Sequence, residues 1–150
     1  MNSARAAQPA HIKASTGART SMTQVAATTS IGLEPLRILI VEDEPLIGML
    51  LGEMLEIMGH EVCAIEVTEA GAVSAAARCK PSLLIVDAQL CQGNGISAVD
   101  TILAQSFIPY VFVSGDRRGV LMLRPKSIVI EKPFTEAALA DGIARARGMR

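Results

Sequence analysis

Five residues of types that bind metals or phosphate close short apolar runs in this chain. Glu42 and Asp43 follow Arg37-Ile38-Leu39-Ile40-Val41. Asp87 follows Leu83-Leu84-Ile85-Val86. Ser114 follows Tyr110-Val111-Phe112-Val113, and Lys132 comes just after Ser127-Ile128-Val129-Ile130. A carboxylate that ends a buried run needs partners, because an uncompensated buried charge is costly. Three carboxylates placed together repel one another and raise each other's pKa unless a cation is bound. Oxygen ligands without His or Cys favour Mg²⁺, which keeps several waters and accepts few carboxylates. A hydroxyl and an ammonium nearby bind phosphate oxygens, and a phosphate on or beside Asp87 would call for the whole set. Taken singly, each residue has a plain structural account: a solvated Asp87 at a strand end, Glu42-Asp43-Glu44 favouring a helix N-terminus, Ser114 in a turn before Gly115, Lys132 at the surface. Their shared placement argues for a site.

That placement depends on the elements between them. The run ending at Asp87, set between Pro81 and a polar loop, reads as a central strand of a parallel sheet, buried on both faces. Pro45 suits a first helical position. Ile47, Leu50, Leu51, Met54, Leu55 and Met58 then follow at helical spacing up to Gly59. Glu61–Glu66 predicts a strand. Residues 68–78 predict an Ala-rich helix capped by Thr68, and Lys80-Pro81 breaks it. Gly93-Asn94-Gly95 is turn chemistry, and Ile96, Val99 and Leu103 mark a third helix. Pro109–Val113 and Ser127–Ile130 predict two more strands, and Thr135 caps a last helix carrying Leu139 and Ile143. Residues 116–124, interrupted by Gly119, show no helical period and predict a weakly structured segment. Strands thus alternate with helices, the pattern of a doubly wound α/β sheet. In such a sheet the carboxyl ends of the strands form the ligand edge. All five polar residues fall there, whereas Lys80-Pro81 precedes its strand and lies at the opposite edge. A sharp turn after the fifth strand, with Lys132 aimed into the site, predicts a cis Lys132–Pro133 bond.

Bulk properties bound the possibilities. The chain has 150 residues and half are apolar, without Trp. This is enough for one domain with an aliphatic core. No apolar run is long enough for a membrane span. Cys63, Cys79 and Cys91 are odd in number and form no C-x-x-C, and with His11 and His60 alone a zinc site is excluded. A reducing, cytoplasmic setting follows. Residues 1–33, rich in Ala, Ser and Thr, carry +3 and predict a disordered N-terminal extension. Arg and Ser without acids resemble a transit peptide, but no amphipathic period accompanies them, and Met22 offers an alternative start. The remainder carries −4, which speaks against nonspecific nucleic-acid binding.

Four separated segments, in order, give the chain a family likeness: Ile40-Val41-Glu42-Asp43-Glu44-Pro45, Leu84-Ile85-Val86-Asp87, Val113-Ser114-Gly115 and Glu131-Lys132-Pro133-Phe134. Residues 36–147 resemble a response-regulator receiver domain of two-component signalling. The resemblance implies a flavodoxin-like fold, a five-stranded parallel sheet of order 2-1-3-4-5. It implies Asp87 as phosphoacceptor, with Ser114 and Lys132 holding phosphoryl oxygens. Mg²⁺ would be bound by Glu42, Asp43, Asp87 and the backbone carbonyl of Gln89. A histidine kinase or phosphotransfer protein would supply the phosphoryl group. Pro109–Gly115 is similar to the Pro-Phe-x-Phe-Ala-Thr-Gly-Tyr signature of stand-alone receivers, with Asp116 at its final Tyr. Val129 stands where receivers usually carry an aromatic ring, and Cys91 where their loop has a proline. These departures leave the phosphorylation residues in place and remove the ring of the usual switch.

The expectation is a single-domain response regulator that signals through protein contact or acts as a phosphate sink, not an enzyme. A Mg²⁺-dependent phosphatase or other hydrolase with Asp87 as nucleophile is the main alternative, although Asp87-Ala88-Gln89 offers no second acid two residues on. A receiver-like scaffold that is never phosphorylated is another. A nucleotide- or flavin-binding domain lacks its Gly-rich loop after the first strand.

Overall fold

In the computed structural model, residues 33–150 are described. The disorder, transit-peptide likeness and alternative start expected for the N-terminal extension lie outside them, apart from Leu33. Strands and helices alternate: β1 Arg37–Val41, α1 Pro45–Ile57, β2 Glu61–Glu66, α2 Glu69–Cys79, β3 Leu83–Asp87, α3 Gly95–Gln105, β4 Tyr110–Ser114, α4 Arg117–Leu123, β5 Val129–Glu131 and α5 Glu136–Arg147. The strands form one parallel sheet of order β2-β1-β3-β4-β5, the expected doubly wound arrangement.

Period-two alternation sorts the strand side chains into two cores. Leu39, Val41, Leu84, Val86 and Phe112 pack with α2 and α3 on one face. Ile38, Ile40, Leu83, Ile85, Val111 and Val113 pack with α1 and α5 on the other. All five residues of β3 are buried, as a strand with helices over both faces must be. Helix starts follow their caps: Thr68, Asn94, Asp116 and Thr135 each accept backbone N–H groups from the first turn.

Two local expectations need correction. In α1, Leu50 is half exposed, and the buried face is Gly48, Leu51, Gly52 and Leu55. The glycines let the helix lie close over β2: a Cβ on Gly48 would be 3.2 Å from Ile65 Cγ2. That approach rotates the buried stripe away from Leu50. Residues 116–124 show no helical period in the sequence, yet 117–123 form α4. Its cap closes on the backbone N–H of the glycine that seemed to interrupt it. The Gly119 N–H donates to Asp116 Oδ1 at 2.9 Å, and a Cβ there would sit 2.2 Å from Asp116 Oδ2. A Cβ at this position would have to turn the Asp116 carboxylate aside. Val120 is buried while Met122 and Leu123 stay exposed, so one turn of apolar side chain, not a stripe, anchors the helix.

Candidate functional site

β1, β3 and β4 are adjacent and parallel, so their carboxyl ends present Glu42, Asp87 and Ser114 side by side. Glu42 is 1% exposed, Asp87 7% and Ser114 1%. Oxygens of Glu42, Asp43 and Asp87 all lie within 4.8 Å of one another. Lys132, just past β5, reaches across the edge: its Nζ donates to Asp87 Oδ2 at 2.8 Å and to Glu42 Oε2 at 2.9 Å. The Lys132–Pro133 bond is cis, as expected.

The electrostatics follow from this packing. Burial pushes the Glu42 carboxyl above its ordinary value, only partly offset by the Lys132 hydrogen bond and the Glu44 N–H. Burial alone would make Lys132 easier to deprotonate, but its bonds to Asp87 and Glu42 outweigh that and hold it above its ordinary value. Asp43 is drawn below its ordinary value, chiefly by the Cys91 side chain, with the Cys91 N–H at 2.8 Å from Oδ2. The ammonium thus balances part of the acidic cluster and leaves it net negative. That set of hard oxygens at short mutual distance fits a small divalent cation.

The β3–α3 loop carries the rest of the design. Asp87 Oδ1 accepts the Gln89 N–H at 2.8 Å, which turns the chain and places Gln89 beside the carboxylate. Gln89 bridges to Asn94. Ser114 is positioned from two sides: its carbonyl accepts the Lys132 N–H at 2.9 Å and its Oγ accepts the Asp116 N–H at 3.0 Å. All six residues singled out from the sequence therefore gather at one edge.

Two contributors were not legible from motif spacing. Glu69 accepts the Asn94 N–H at 2.9 Å and the Ser97 hydroxyl at 2.5 Å, clamping the far end of the loop to α2. In sequence it reads only as an acid in a helix first turn. Gly95 begins α3 against the end of β3, where a Cβ would lie 1.8 Å from the Asp87 carbonyl oxygen. Its position after Gly93-Asn94 suggested a turn, not this close approach.

The fold and the sequence are similar to those of known proteins. Residues 38–144 match the model of the response regulator receiver domain. This chain belongs to the response regulator receiver domain family. Its receiver domain is 37% identical over 113 residues to the phyllosphere-induced regulator PhyR of Methylorubrum extorquens, covering 73% of this chain and 42% of that protein. It is 35% identical over 117 residues to the transcriptional regulatory protein PdtaR of Mycobacterium tuberculosis, covering 73% and 55%. The chain thus spans about half the length of these relatives. Among solved structures, the PhyR receiver domain of Erythrobacter litoralis superposes with a TM-score of 0.71 at 32% identity, covering 77% of this chain and 92% of that one. The anti-anti-sigma factor PhyR of Bartonella quintana superposes at 0.70 and 32%, covering 77% and 48%. The receiver domain is therefore a response-regulator module of two-component signalling, with the flavodoxin-like fold. Among the described residues, no helix is long and apolar enough to cross a membrane.

Proposed function

We propose that this receiver domain accepts a phosphoryl group on Asp87 from a histidine kinase or phosphotransfer protein. The observation that carries the reading is the Lys132 ammonium bridging Asp87 and Glu42 beside Asp43 at the carboxyl edge of the sheet. Glu42, Asp43, Asp87 and the Gln89 carbonyl would hold Mg²⁺, which when bound supplies positive charge to phosphoryl oxygens. The Asp87 carboxylate attacks phosphorus in line: the P–O bond forms, the P–N bond of phosphohistidine breaks, and the electron pair returns to the donor imidazole. Lys132 turns its N–H groups from Glu42 to a phosphoryl oxygen, and the Ser114 hydroxyl takes another. Both groups are already held at this edge before the reaction and only exchange hydrogen-bond partners, and such preorganisation is the main source of electrostatic catalysis.

Output through a protein contact is supported by relatives named as regulators, one of them an anti-anti-sigma factor. Neither a nucleic acid nor a membrane is proposed as a partner. The free thiols of Cys63, Cys79 and Cys91 fit the cytoplasm. The test is incubation with acetyl phosphate and Mg²⁺ followed by intact mass. The expected result is one added phosphoryl group in the wild type, none in Asp87→Asn, and none without Mg²⁺. Full labelling of Asp87→Asn overturns the assignment.

A further inference from the structure

Cys63 and Cys79 meet on the α2 side of the sheet. Cys79 is the last residue of α2, which ends as Lys80 turns left-handed at φ 49°. Cys63 lies where β2 slips against β1: Ile38 pairs with Val62, but Leu39 pairs with Ala64. Cys63 is the extra residue of that bulge. In a regular strand Cys63 and Ala64 would face opposite sides. The bulge lets both pack against the α2–α3 core.

The Cys79 thiol donates to the Cys63 carbonyl at 3.6 Å. Burial first, then the neighbouring Cys79 thiol, push the Cys63 thiol up to about 11. Arg37 holds the junction closed: its Nε donates to the Cys79 carbonyl at 2.9 Å while its guanidinium pairs with Glu61 at the start of β2. Both cysteines are half-buried and within reach of small reagents, whereas Cys91 is exposed at the far edge beside Asp43.

We propose that Cys63 and Cys79 are a redox-active dithiol that closes to an intramolecular disulfide, fastening the end of α2 to β2. The oxidant is a small-molecule disulfide of the glutathione type. The Cys79 sulfur attacks one sulfur of the oxidant, whose S–S bond breaks and releases one thiol. Cys63, a reluctant nucleophile at neutral pH, takes the second and intramolecular step as its small thiolate fraction, where high effective concentration offsets that scarcity. Its sulfur bonds to that of Cys79 and the second small thiol leaves. Two electrons pass to the oxidant, and the two cysteine protons end on the released thiols. The chain supplies the encounter, and rotation about the two Cα–Cβ bonds completes it. In a reducing compartment the pair rests as a dithiol and closes only under oxidant. The pair lies level with Ile38 and Leu39, while Asp87 lies beyond the level of Val41. Phosphorylation at Asp87, or its absence, has no bearing on the thiol count.

The experiment treats the folded full chain with oxidised glutathione, quenches with acid, alkylates and measures intact mass. The expected result is a fall from three alkylated thiols to one, no retained glutathione, and full recovery of three after reduction. Trypsin then places the link. Cys63 lies in the peptide 38–78, and Cys79 shares 79–117 with Cys91 because Pro81 protects Lys80 from cleavage. A Cys91→Ser chain should form the same link between these peptides. If that variant does not fold, fragmentation of the wild-type peptide should find the alkyl group on Cys91. Three alkylatable thiols after oxidation, glutathione adducts without an internal link, or a link through Cys91 would each overturn the proposal.

Discussion

The Lys132 ammonium sits 2.8 Å from Asp87 Oδ2, joining residues 45 apart in sequence. This contact ties the end of β5 to the end of β3 across β4. It makes the lysine at once a counter-ion for the resting cluster and the proposed partner of an incoming phosphoryl group.

Removing that counter-ion should cost stability. Lys132→Met leaves Glu42, 1% exposed, facing Asp87 without a cation. Breaking a buried ion pair costs on the order of 3 kcal/mol. Urea unfolding in the absence of Mg²⁺ should show that loss, and adding Glu42→Gln should recover much of it. An unchanged midpoint in Lys132→Met would mean that the bridge contributes nothing net.

Gly95→Ala should displace Asp87, the proposed phosphoacceptor. A Cβ there falls 1.8 Å from the Asp87 carbonyl oxygen, a clash with backbone that no rotamer change relieves. Overpacking of this kind costs about 2 kcal/mol or more. Thermal unfolding should register the loss, and acetyl phosphate labelling of whatever folds should slow. Wild-type stability and labelling would refute the close approach.

Acid should weaken the chain through His60. Its Nδ1 accepts the Leu36 N–H at 3.2 Å, and burial, then the charge of Arg147, hold it below its ordinary 6.5. A depressed folded pKa means stability that is fully present above about pH 6.5 and lost as pH falls through the lower folded value. Wild-type protein should therefore lose more stability than His60→Asn between pH 7.5 and pH 5. Parallel curves for the two proteins would sink this account.

Phosphorylation is expected to act first on the start of α4. The Ser114 hydroxyl accepts the Asp116 N–H at 3.0 Å, and Asp116 caps the helix. Drawing the hydroxyl to a phosphoryl oxygen removes that acceptor, and Val129 offers no ring to fill the space. Amide hydrogen exchange at 116–120 should change on adding beryllofluoride with Mg²⁺, a population shift of the capped turn. Protection that is high and identical in both states would contradict this.

The alternation of apolar strands and capped helices was legible in the sequence because each element carries its own period and its own stop signals. So was the set Glu42, Asp43, Asp87, Ser114 and Lys132. In a parallel sheet the carboxyl ends share one edge, and position at a strand end is a local property. Tertiary structure decided what depends on partners distant in the chain. Whether Leu50 or Gly48 faces the core was set by how closely α1 approaches Ile65. Residues 117–123 became a helix because Asp116 caps them and Val120 finds the α2–α3 core, neither of which the local pattern displays. Glu69 became a clamp on the β3–α3 loop only when α2 and α3 were laid side by side. The meeting of Cys63 with Cys79 required a one-residue slip between β1 and β2. Such a slip is an agreement between two strands, and neither strand's sequence encodes it alone.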